Sequence, residues 1–357
     1  MDTAHWRARF AALSPRAIDL SLDRMHQALS CLNHPEEKLG TLIHVAGTNG
    51  KGSVVAALET ALTQAGQRVQ SYTSPFLWDF RENIRLNGQD IDGQECAMYF
   101  AHLWDRCRHI PLTWFEADTL VAFLAFAHWR APITILECGM GGAHDATAAA
   151  PAPTAAIVTN VARDHSEFLG DDLAQVAVEK AGIARGAPLY VPADFAFDIG
   201  RAGRLHTIAL STQHPSLALA NGVLAAHFPH VPPLASLPDQ RGRWQRCDRD
   251  PHLIYDVGHN AHAAAFLAAR LSHEPAPYRL DLGMLRRKDP RAFLAAFQGL
   301  DLHLNPLDLG PEGHAPADLR AIAHQLHIPI STSAPYKTRL ITGSHQTVAQ
   351  HLKPQWA

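Results

Sequence analysis

The sequence lacks several features that would assign the chain to other classes of protein. Its five cysteines are an odd number without CxxC spacing, which argues against both a disulfide framework and a zinc site. The 31 basic residues nearly balance the 34 acidic ones, and no long run of one sign indicates a nucleic-acid or anionic-membrane surface. The start, "MDTAHWRARFAALSPRAIDL", has no apolar signal-peptide core, and no later stretch resembles a membrane span. We expect a cytoplasmic protein without nucleic-acid or membrane partners.

The apolar residues that are present alternate between strand-like and helix-like patterns. With 357 residues, the chain is longer than one hydrophobic core usually fills, so two domains are expected. Short apolar runs separated by helical patterns are typical of parallel βαβ units. The nine predicted strands are Leu42 to Ala46, Val69 to Thr73, Ile133 to Glu137, Ala156 to Thr159, Leu189 to Val191, Leu253 to Asp256, Arg279 to Gly283, Leu302 to Asn305 and Leu340 to Thr342.

Two further patterns concern the limits of these elements. Ser14 as N-cap and Pro15 in the first turn predict the beginning of a helix. From Phe195 to Gln240 the pattern loosens into short segments rich in Pro and His. We therefore predict one domain over residues 1–238 and a second over 239–357.

A glycine-rich stretch with one lysine, "HVAGTNGKGS", follows the first predicted strand. It departs from the P-loop pattern GxxxxGK[ST], since Val45 replaces the first Gly and Gly52 precedes Ser53. Its glycines nevertheless allow backbone amides to turn inward, and a helix predicted to begin near Ser53 directs its positive end at the same place. The predicted phosphate-binding residues are Gly47, Thr48, Asn49, Gly50, Lys51, Gly52 and Ser53. The alternative is an ordinary strand-to-helix turn; a dinucleotide site is disfavoured because GxGxxG is absent.

Seven motifs in order resemble one known family. They are "HVAGTNGKGS", "YTSPFLWDFRENIRLNG", "ILECGMGGAHDAT", "IVTNVARDHSEFLGDDLAQVAVEKAGIARG", "GRW", "YDVGHNAHAA" and "GMLRRKD". This series is similar to the folylpolyglutamate synthase and dihydrofolate synthase family of the Mur ligase superfamily. The resemblance implies an α/β fold with a P-loop mononucleotide-binding domain on a mostly parallel sheet and a smaller, Rossmann-like C-terminal domain. It also implies an ATP-dependent, monomeric ligase that joins L-glutamate to dihydropteroate or a reduced folate through an acyl phosphate.

In that family, three of the matching positions hold Mg²⁺, and each follows a predicted strand here. They are Ser74, Glu137 and His165. Without the resemblance, Ser74 before Pro75 would be read as a turn former and His165 as a surface or helix-capping residue. Glu137 ends a buried apolar strand, where a carboxylate needs a partner such as a cation.

Lys180, in "VEKAGIA", resembles the family's lysine that CO₂ carbamylates to bridge a second Mg²⁺. Carbamylation requires the neutral amine, so the pKa of the lysine must be depressed. The alternative is a solvated helix lysine beside Glu179.

The resemblance also assigns residues of the second domain. Arg243 and Asp256 are expected to contact ATP, while His259, at the start of a predicted helix, is expected to position glutamate or the reacting phosphate. Ser344 in "TGSH" is a candidate for holding glutamate, with a helix N-cap as the alternative. Phe115 could stack on the acceptor's heterocycle or belong to the core. The predicted catalytic residues are Lys51, His165, Lys180, Asp256 and His259.

Alternative functions remain because some positions depart from the family pattern. Ala143 and Ala148 stand where the family has arginine and asparagine, which favours a changed acceptor or a non-catalytic ATP- or folate-binding regulator. Another Mur-type ligase would need a nucleotide-sugar domain before the loop, and the 46 residues preceding Gly47 are too few for one. A small-molecule kinase or NTPase would not need Arg243, Asp256 and His259.

Overall fold

The chain folds into two compact units, Met1–Pro238 and Asp239–Ala357. The structure is a computed structural model, and it describes residues 2–14, 21–164, 166–210 and 214–352. Within these ranges, no helix combines the length and the apolar character that crossing a membrane would require.

The first unit is built on an eight-stranded sheet with the strand order β4-β3-β2-β5-β1-β6-β7-β8. Its strands are β1 Thr41–Ala46, β2 Val69–Tyr72, β3 Ile84–Leu86, β4 Gln89–Asp90, β5 Ile133–Glu137, β6 Ala155–Val158, β7 Pro188–Pro192 and β8 Arg204–Ile208. Its helices are α1 Thr3–Leu13, α2 Asp23–Cys31, α3 Lys51–Gln64, α4 Gly93–Cys107, α5 Trp114–Trp129, α6 Ser166–Leu169, α7 Leu173–Ala181 and α8 Pro215–His227. Strands β3 and β4 pair antiparallel, and the remaining six run parallel.

Apolar side chains of the parallel strands cover both faces of this sheet. Ile43 and Val45 pack with α3 and α8 on one face, whereas Leu42 packs with α1, α2, α4 and α5 on the other. Alternate residues of a strand point to opposite faces, and burial of both faces explains why these strands are continuous apolar runs. Because Val45 pairs with Glu137, strands β1 and β5 end at the same edge. Polar residues that follow these strands are thereby brought together.

The second unit has a five-stranded sheet with the order β12-β11-β13-β10-β9. Its strands are β9 Gln245–Arg246, β10 Leu253–Tyr255, β11 Tyr278–Leu282, β12 Leu302–Pro306 and β13 Thr338–Thr342, and its helices are α9 Ala261–Leu271, α10 Pro290–Ala295, α11 Pro316–Gln325 and α12 His345–Leu352. Only β9 pairs antiparallel. The predicted fold class, α/β with mostly parallel sheets in a larger and a smaller unit, is confirmed.

All nine predicted strands occur, with ends displaced by at most two residues. Strands β3, β4, β8 and β9 were not predicted, because they are short or lack an apolar run. The clearest case is β8, "RLHTI", an edge strand whose first four residues are exposed. An exposed edge strand has no continuous buried face to reveal it in the sequence.

The helix predicted to begin at Ser14 and Pro15 would start in residues that the structure does not describe, so it stays a prediction. Ser14 ends α1, and its hydroxyl donates a hydrogen bond back to the Phe10 carbonyl. The next helix, α2, begins at Asp23. The intervening residues 15–20 lie outside the described part of the chain. Helix α1 has only Trp6 and Phe10 buried, so its apolar periodicity is too weak to identify it.

The region from Phe195 to Gln240 is also more regular than predicted, since it contains β8 and α8. Helix α8 is apolar on most sides and packs against α3, so it lacks the one-sided periodicity of a surface helix. Asn221 on α8 exchanges two hydrogen bonds of 3.0 Å with the backbone of Leu234. This side chain fastens the irregular segment that follows the helix.

A buried carboxylate joins three strands of the second unit. Asp281 is inaccessible to solvent and accepts hydrogen bonds from Arg279 Nε at 2.7 Å, Arg339 Nε at 2.9 Å and Asn305 Nδ2 at 3.1 Å.

We predict that Asp281→Ala lowers the free energy of unfolding of this unit by about 3 kcal/mol, since the two arginines lose their counter-charge. Urea unfolding and hydrogen exchange of β11 and β13 measure this. The exposed Asp301→Ala control should change stability by less than about 0.5 kcal/mol, and equal effects of both substitutions would contradict the prediction.

Candidate active site

The glycine-lysine stretch forms the connection between β1 and α3. Helix α3 begins at Lys51, two residues before the predicted start near Ser53. Gly50 precedes it with a φ of 83°, a left-handed conformation that glycine adopts without steric cost, and its carbonyl already accepts the Val54 N–H. The amide groups of the first helical turn therefore start immediately behind the loop.

The loop is fastened to the residues that follow β6. The Thr159 hydroxyl donates to the Asn49 carbonyl at 2.6 Å, and the Asn160 side chain both donates to that carbonyl and accepts from the Asn49 N–H, each at 3.0 Å. Gly47 has a φ of 140°, and a Cβ on it would lie 1.9 Å from Thr159 Oγ1. Only glycine fits at this point. Thr159 and Asn160, which hold the loop, were missed in the sequence because their role depends on a contact between distant segments.

Lys51 completes the loop from the helix side. Its Nζ donates a 3.0 Å hydrogen bond to the Gly47 carbonyl, so the ammonium group lies over the loop. Three features therefore meet at the glycine-rich loop. They are the Lys51 ammonium group, backbone amides beside glycines, and the positive end of the 14-residue helix α3. This arrangement suits an anionic ligand such as a phosphate group.

Two of the predicted metal ligands lie beside this loop. Glu137 ends β5 and is 3% exposed; its Oε2 lies 3.5 Å from the backbone nitrogen of Ser74, which follows β2. A Cβ placed on Gly52 would also lie 3.5 Å from Glu137 Oε2, so the carboxylate reaches the start of α3. His165, the third predicted ligand, lies outside the described residues.

Lys180 on α7 is buried, with 4% of its surface exposed. The alternative of a solvated helix lysine is therefore wrong. Burial, and secondarily the positive charge of Lys51, lowers the pKa of Lys180 to about 8. The carboxylate of the neighbouring Glu179 accepts hydrogen bonds from the backbone N–H groups of Gly142 and His144. The neutral fraction of the Lys180 amine is thus larger than that of an ordinary solvated lysine.

A buried polar network below the site was not identified from the sequence. His44 Nε2 lies 2.8 Å from Thr147 Oγ1, and that hydroxyl in turn bonds Asp145, whose other oxygen accepts the Met140 N–H at 2.8 Å. Burial lowers the pKa of His44 to about 3, so the imidazole is neutral. The network holds the loop after β5 in place behind Glu137.

Two other positions considered in the sequence, Ala143 and Phe115, lie on the loop after β5 or pack against it. Phe115, in the first turn of α5, is half-buried, and a Cβ on Gly139 would lie 2.3 Å from its ring. Ala143, where the family pattern has arginine, has its Cβ against Gly182 at the end of α7. The aromatic ring thus borders the loop, and its predicted stacking role stays a prediction.

In the second unit, Asp256 follows β10 and is held by backbone amides. It accepts from the N–H of Trp244 and of Gly258, each at 2.8 Å. Burial raises the pKa of Asp256, and the positive charge of Arg243 opposes this rise. Arg243 thus lies close enough to Asp256 to act on its charge, and the contact of both residues with ATP stays a prediction.

His259 lies at the start of α9, as predicted, next to Asn260. Asn260 caps the helix by accepting the Ala263 N–H at 2.9 Å, and His259 Nδ1 lies 3.0 Å from the Val257 carbonyl. Ser344 precedes α12 and accepts the Thr347 N–H at 3.0 Å. Ser344 is thus a helix N-cap, the alternative considered for it, and its glutamate-binding role stays a prediction.

The comparisons with known proteins agree with this geometry. A family model described as the Mur ligase middle domain matches residues 45–193, the part that contains the loop, Glu137 and Lys180. The class defined by fold and site is therefore that of the Mur ligases.

Whole-chain relatives narrow this class. The Escherichia coli dihydrofolate synthase/folylpolyglutamate synthase is 31% identical over 97% of this chain and 94% of its own length. A Bacillus subtilis protein of the same name is 38% identical over 52% of this chain and 43% of its own. The chain belongs to the dihydrofolate synthase/folylpolyglutamate synthase family.

Solved structures resemble the chain over nearly its whole length. E. coli FolC in complex with DHPP and ADP has a TM-score of 0.87 at 28% identity, covering 99% of this chain and 97% of that one. A bifunctional folylpolyglutamate synthase/dihydrofolate synthase with Mn, AMPPNP and L-glutamate bound has a TM-score of 0.86, also at 28% identity, and the coverages are 100% and 98%.

The closeness of Gly47 to Thr159 generates a stability prediction. We expect Gly47→Ala to lower the free energy of unfolding by about 3 kcal/mol, through overpacking and backbone strain. Gly66→Ala is the matched control, since Gly66 also has a positive φ but nothing within 4 Å of an added Cβ; it should cost about 1 kcal/mol. Chemical denaturation measures both, and equal losses would show that Thr159 does not confine the loop.

Proposed function

We propose that this chain is an ATP-dependent ligase that joins L-glutamate to dihydropteroate, to the γ-carboxylate of a reduced folate, or to both. The observation that carries the proposal is the convergence of Lys51, Glu137 and Lys180 at the edge of the sheet where the glycine-rich loop lies. Support also comes from the relatives, which are named for these two activities and were solved with ADP, AMPPNP, DHPP or L-glutamate bound.

The first step forms the acyl phosphate. A carboxylate oxygen of the acceptor attacks the γ-phosphorus of ATP, the bond to the bridging oxygen breaks, and ADP leaves with that electron pair. Negative charge spreads over the transferring group, which is stabilised by fixed donors and cations aimed at it. Lys51 and the amides at the start of α3 are placed for this role.

The second step forms the amide. The amino group of L-glutamate attacks the acyl carbon, phosphate leaves, and the nitrogen loses a proton. We assign Arg243 and Asp256 to ATP, and His259 and Ser344 to positioning glutamate or the reacting phosphate. Asp256 is oriented by two backbone amides and His259 lies at a helix start, so both have defined positions within their unit.

Magnesium would be held in the first unit by Ser74, Glu137 and His165. Ser74 and Glu137, the two of these residues that the structure describes, fit a hard cation. They offer a buried carboxylate and a hydroxyl-bearing residue close together at the strand ends. When bound, the ion neutralises charge on the phosphates. The buried network through His44 and Asp145 keeps the loop after Glu137 fixed.

Lys180 is proposed to carry a carbamate that holds a second Mg²⁺. Its neutral amine adds to CO₂ with loss of one proton, which turns a cation into a carboxylate-like ligand. Burial supports the reaction because it lowers the pKa of the amine to about 8.

We further propose a cytoplasmic monomer. All five cysteines are free thiols, as a reducing compartment requires.

The alanines at 143 and 148 favour a changed acceptor as the second candidate function. The main alternatives, a kinase or NTPase and a regulator, differ from the ligase in whether glutamate enters the product.

One assay separates these functions. ATP, Mg²⁺ and L-glutamate are supplied with dihydropteroate in one reaction and a reduced folate in another, and phosphate release and product mass are measured. A glutamate adduct in either reaction identifies the acceptor. ATP hydrolysis without an adduct would contradict the glutamylation of dihydropteroate and of reduced folates.

In the same assay, we predict that Lys51→Ala abolishes ATP turnover while circular dichroism shows an intact fold. The reason is that the transferring phosphoryl group would lose the ammonium group that lies over the loop. Lys337→Ala removes an exposed lysine of the second unit and should retain full turnover. Retained turnover in Lys51→Ala would overturn the phosphate-site assignment.

For Lys180→Ala, we predict a loss of turnover of about 100- to 1,000-fold. If a carbamate acts there, small carboxylates such as propionate should restore part of the activity, whereas small amines should not. Rescue by amines alone would show that an ammonium group acts at this position. Addition of ¹³C-bicarbonate should give the wild type a carbamate ¹³C resonance that is missing from the variant.

A further inference from the structure

We propose that His34, Glu36 and Glu37 form a binding site for a divalent transition-metal ion such as Zn²⁺, apart from the proposed ligase site. They belong to the segment "HPEE", where Pro35–Lys38 forms one turn of 3-10 helix between α2 and β1. One potential ligand atom from each of the three side chains lies within 4.8 Å of the others. In the part of the chain that the structure describes, no other group of three His, Cys, Asp or Glu meets this criterion.

The strongest evidence is the environment of Glu36. This residue is 7% exposed, yet among the described residues its carboxylate has one hydrogen bond, between Oε1 and His34 Nδ1. The other oxygen, Oε2, is buried and has no hydrogen-bond partner among the described residues. A buried carboxylate oxygen without a donor is costly, and a cation that contacts both oxygens of the carboxylate would satisfy it.

The distance between His34 and Glu36 also suits a metal. Their Nδ1 and Oε1 atoms are 2.9 Å apart. Two donors that each lie about 2.0–2.1 Å from one ion, at the angles of octahedral or tetrahedral coordination, are separated by about 2.9–3.4 Å. An ion can therefore replace the shared proton with little movement of either side chain.

The donor types select the class of ion. One imidazole and two carboxylates suit Zn²⁺ and neighbouring transition metals, whereas Mg²⁺ prefers oxygen ligands alone. Glu37 and His34 are exposed, so the ion has access from solvent and open positions for water. Glu36 would supply the buried and least mobile ligand.

The local backbone keeps the three residues together. His34 has a φ of 53°, Pro35 fixes the following turn, and the Glu37 N–H bonds the His34 carbonyl at 3.3 Å. A bound ion would join the end of α2 to the segment that leads into β1. The expected consequence is a higher melting temperature when the metal is present.

Zinc binding to the full-length protein tests the site and requires neither ATP nor folate, so its outcome is independent of the proposed ligase activity. The protein is equilibrated with Zn²⁺ buffered by a competing chelator, and bound zinc is measured by mass spectrometry and calorimetry. The variants are His34→Asn and Glu37→Gln, which alter exposed side chains and preserve folding. Because the chain has 23 histidines, a control is needed: His102→Asn combined with Asp105→Asn on α4, where both residues are exposed.

We expect one tightly bound Zn²⁺ per wild-type chain, with affinity lowered at least about 100-fold in His34→Asn and in Glu37→Gln, and unchanged in the control. The melting temperature should rise with Zn²⁺ in the wild type and control only. The proposal is overturned if the wild type retains no zinc, if the two variants bind as tightly as the wild type, or if the control loses zinc equally.

Discussion

The proposed active site depends on the contact between the glycine-rich loop and the chain that leaves β6. Thr159 and Asn160 bind the Asn49 backbone, and Gly47 must lack a side chain because Thr159 occupies that space. With the loop fixed in this way, α3 begins at Lys51 and its first amides face the same place. An anion then meets donors that are already oriented, which is the condition for strong electrostatic stabilisation.

Burial of charged groups beside this loop is the second constraint. Glu137 and Lys180 are almost inaccessible to solvent, and each would be unfavourable alone. The protein places them next to Lys51 and Ser74, at an edge where ligands of parallel sheets bind. The lowered pKa of Lys180 is a consequence of this burial. Groups of this kind, displaced from their ordinary protonation behaviour, are typical of functional sites.

The sequence predicted those parts that local pattern determines. Apolar runs located nine strands, and their ends placed Ser74 and Glu137 at one edge, because parallel strands with paired registers finish together. The hydrogen bonds from Thr159 and Asn160 to the loop join residues about 110 positions apart, so no local pattern reveals them. The burial of Lys180 is likewise set by packing, since the same "VEKAG" segment would be solvated on a free helix. Helix α8 lies in the region whose pattern was read as loosened, because an all-apolar helix lacks periodicity.

The central claim is that the chain transfers a phosphoryl group from ATP to a carboxylate before the amide forms. This is tested most directly by labelling both oxygens of the acceptor carboxylate with ¹⁸O and measuring the mass of the released phosphate during turnover with L-glutamate. An acyl phosphate requires one ¹⁸O atom in each phosphate, because the acceptor oxygen that attacked phosphorus leaves with it. Unlabelled phosphate, formed while ATP is consumed, would mean that water is the acceptor and would contradict the account.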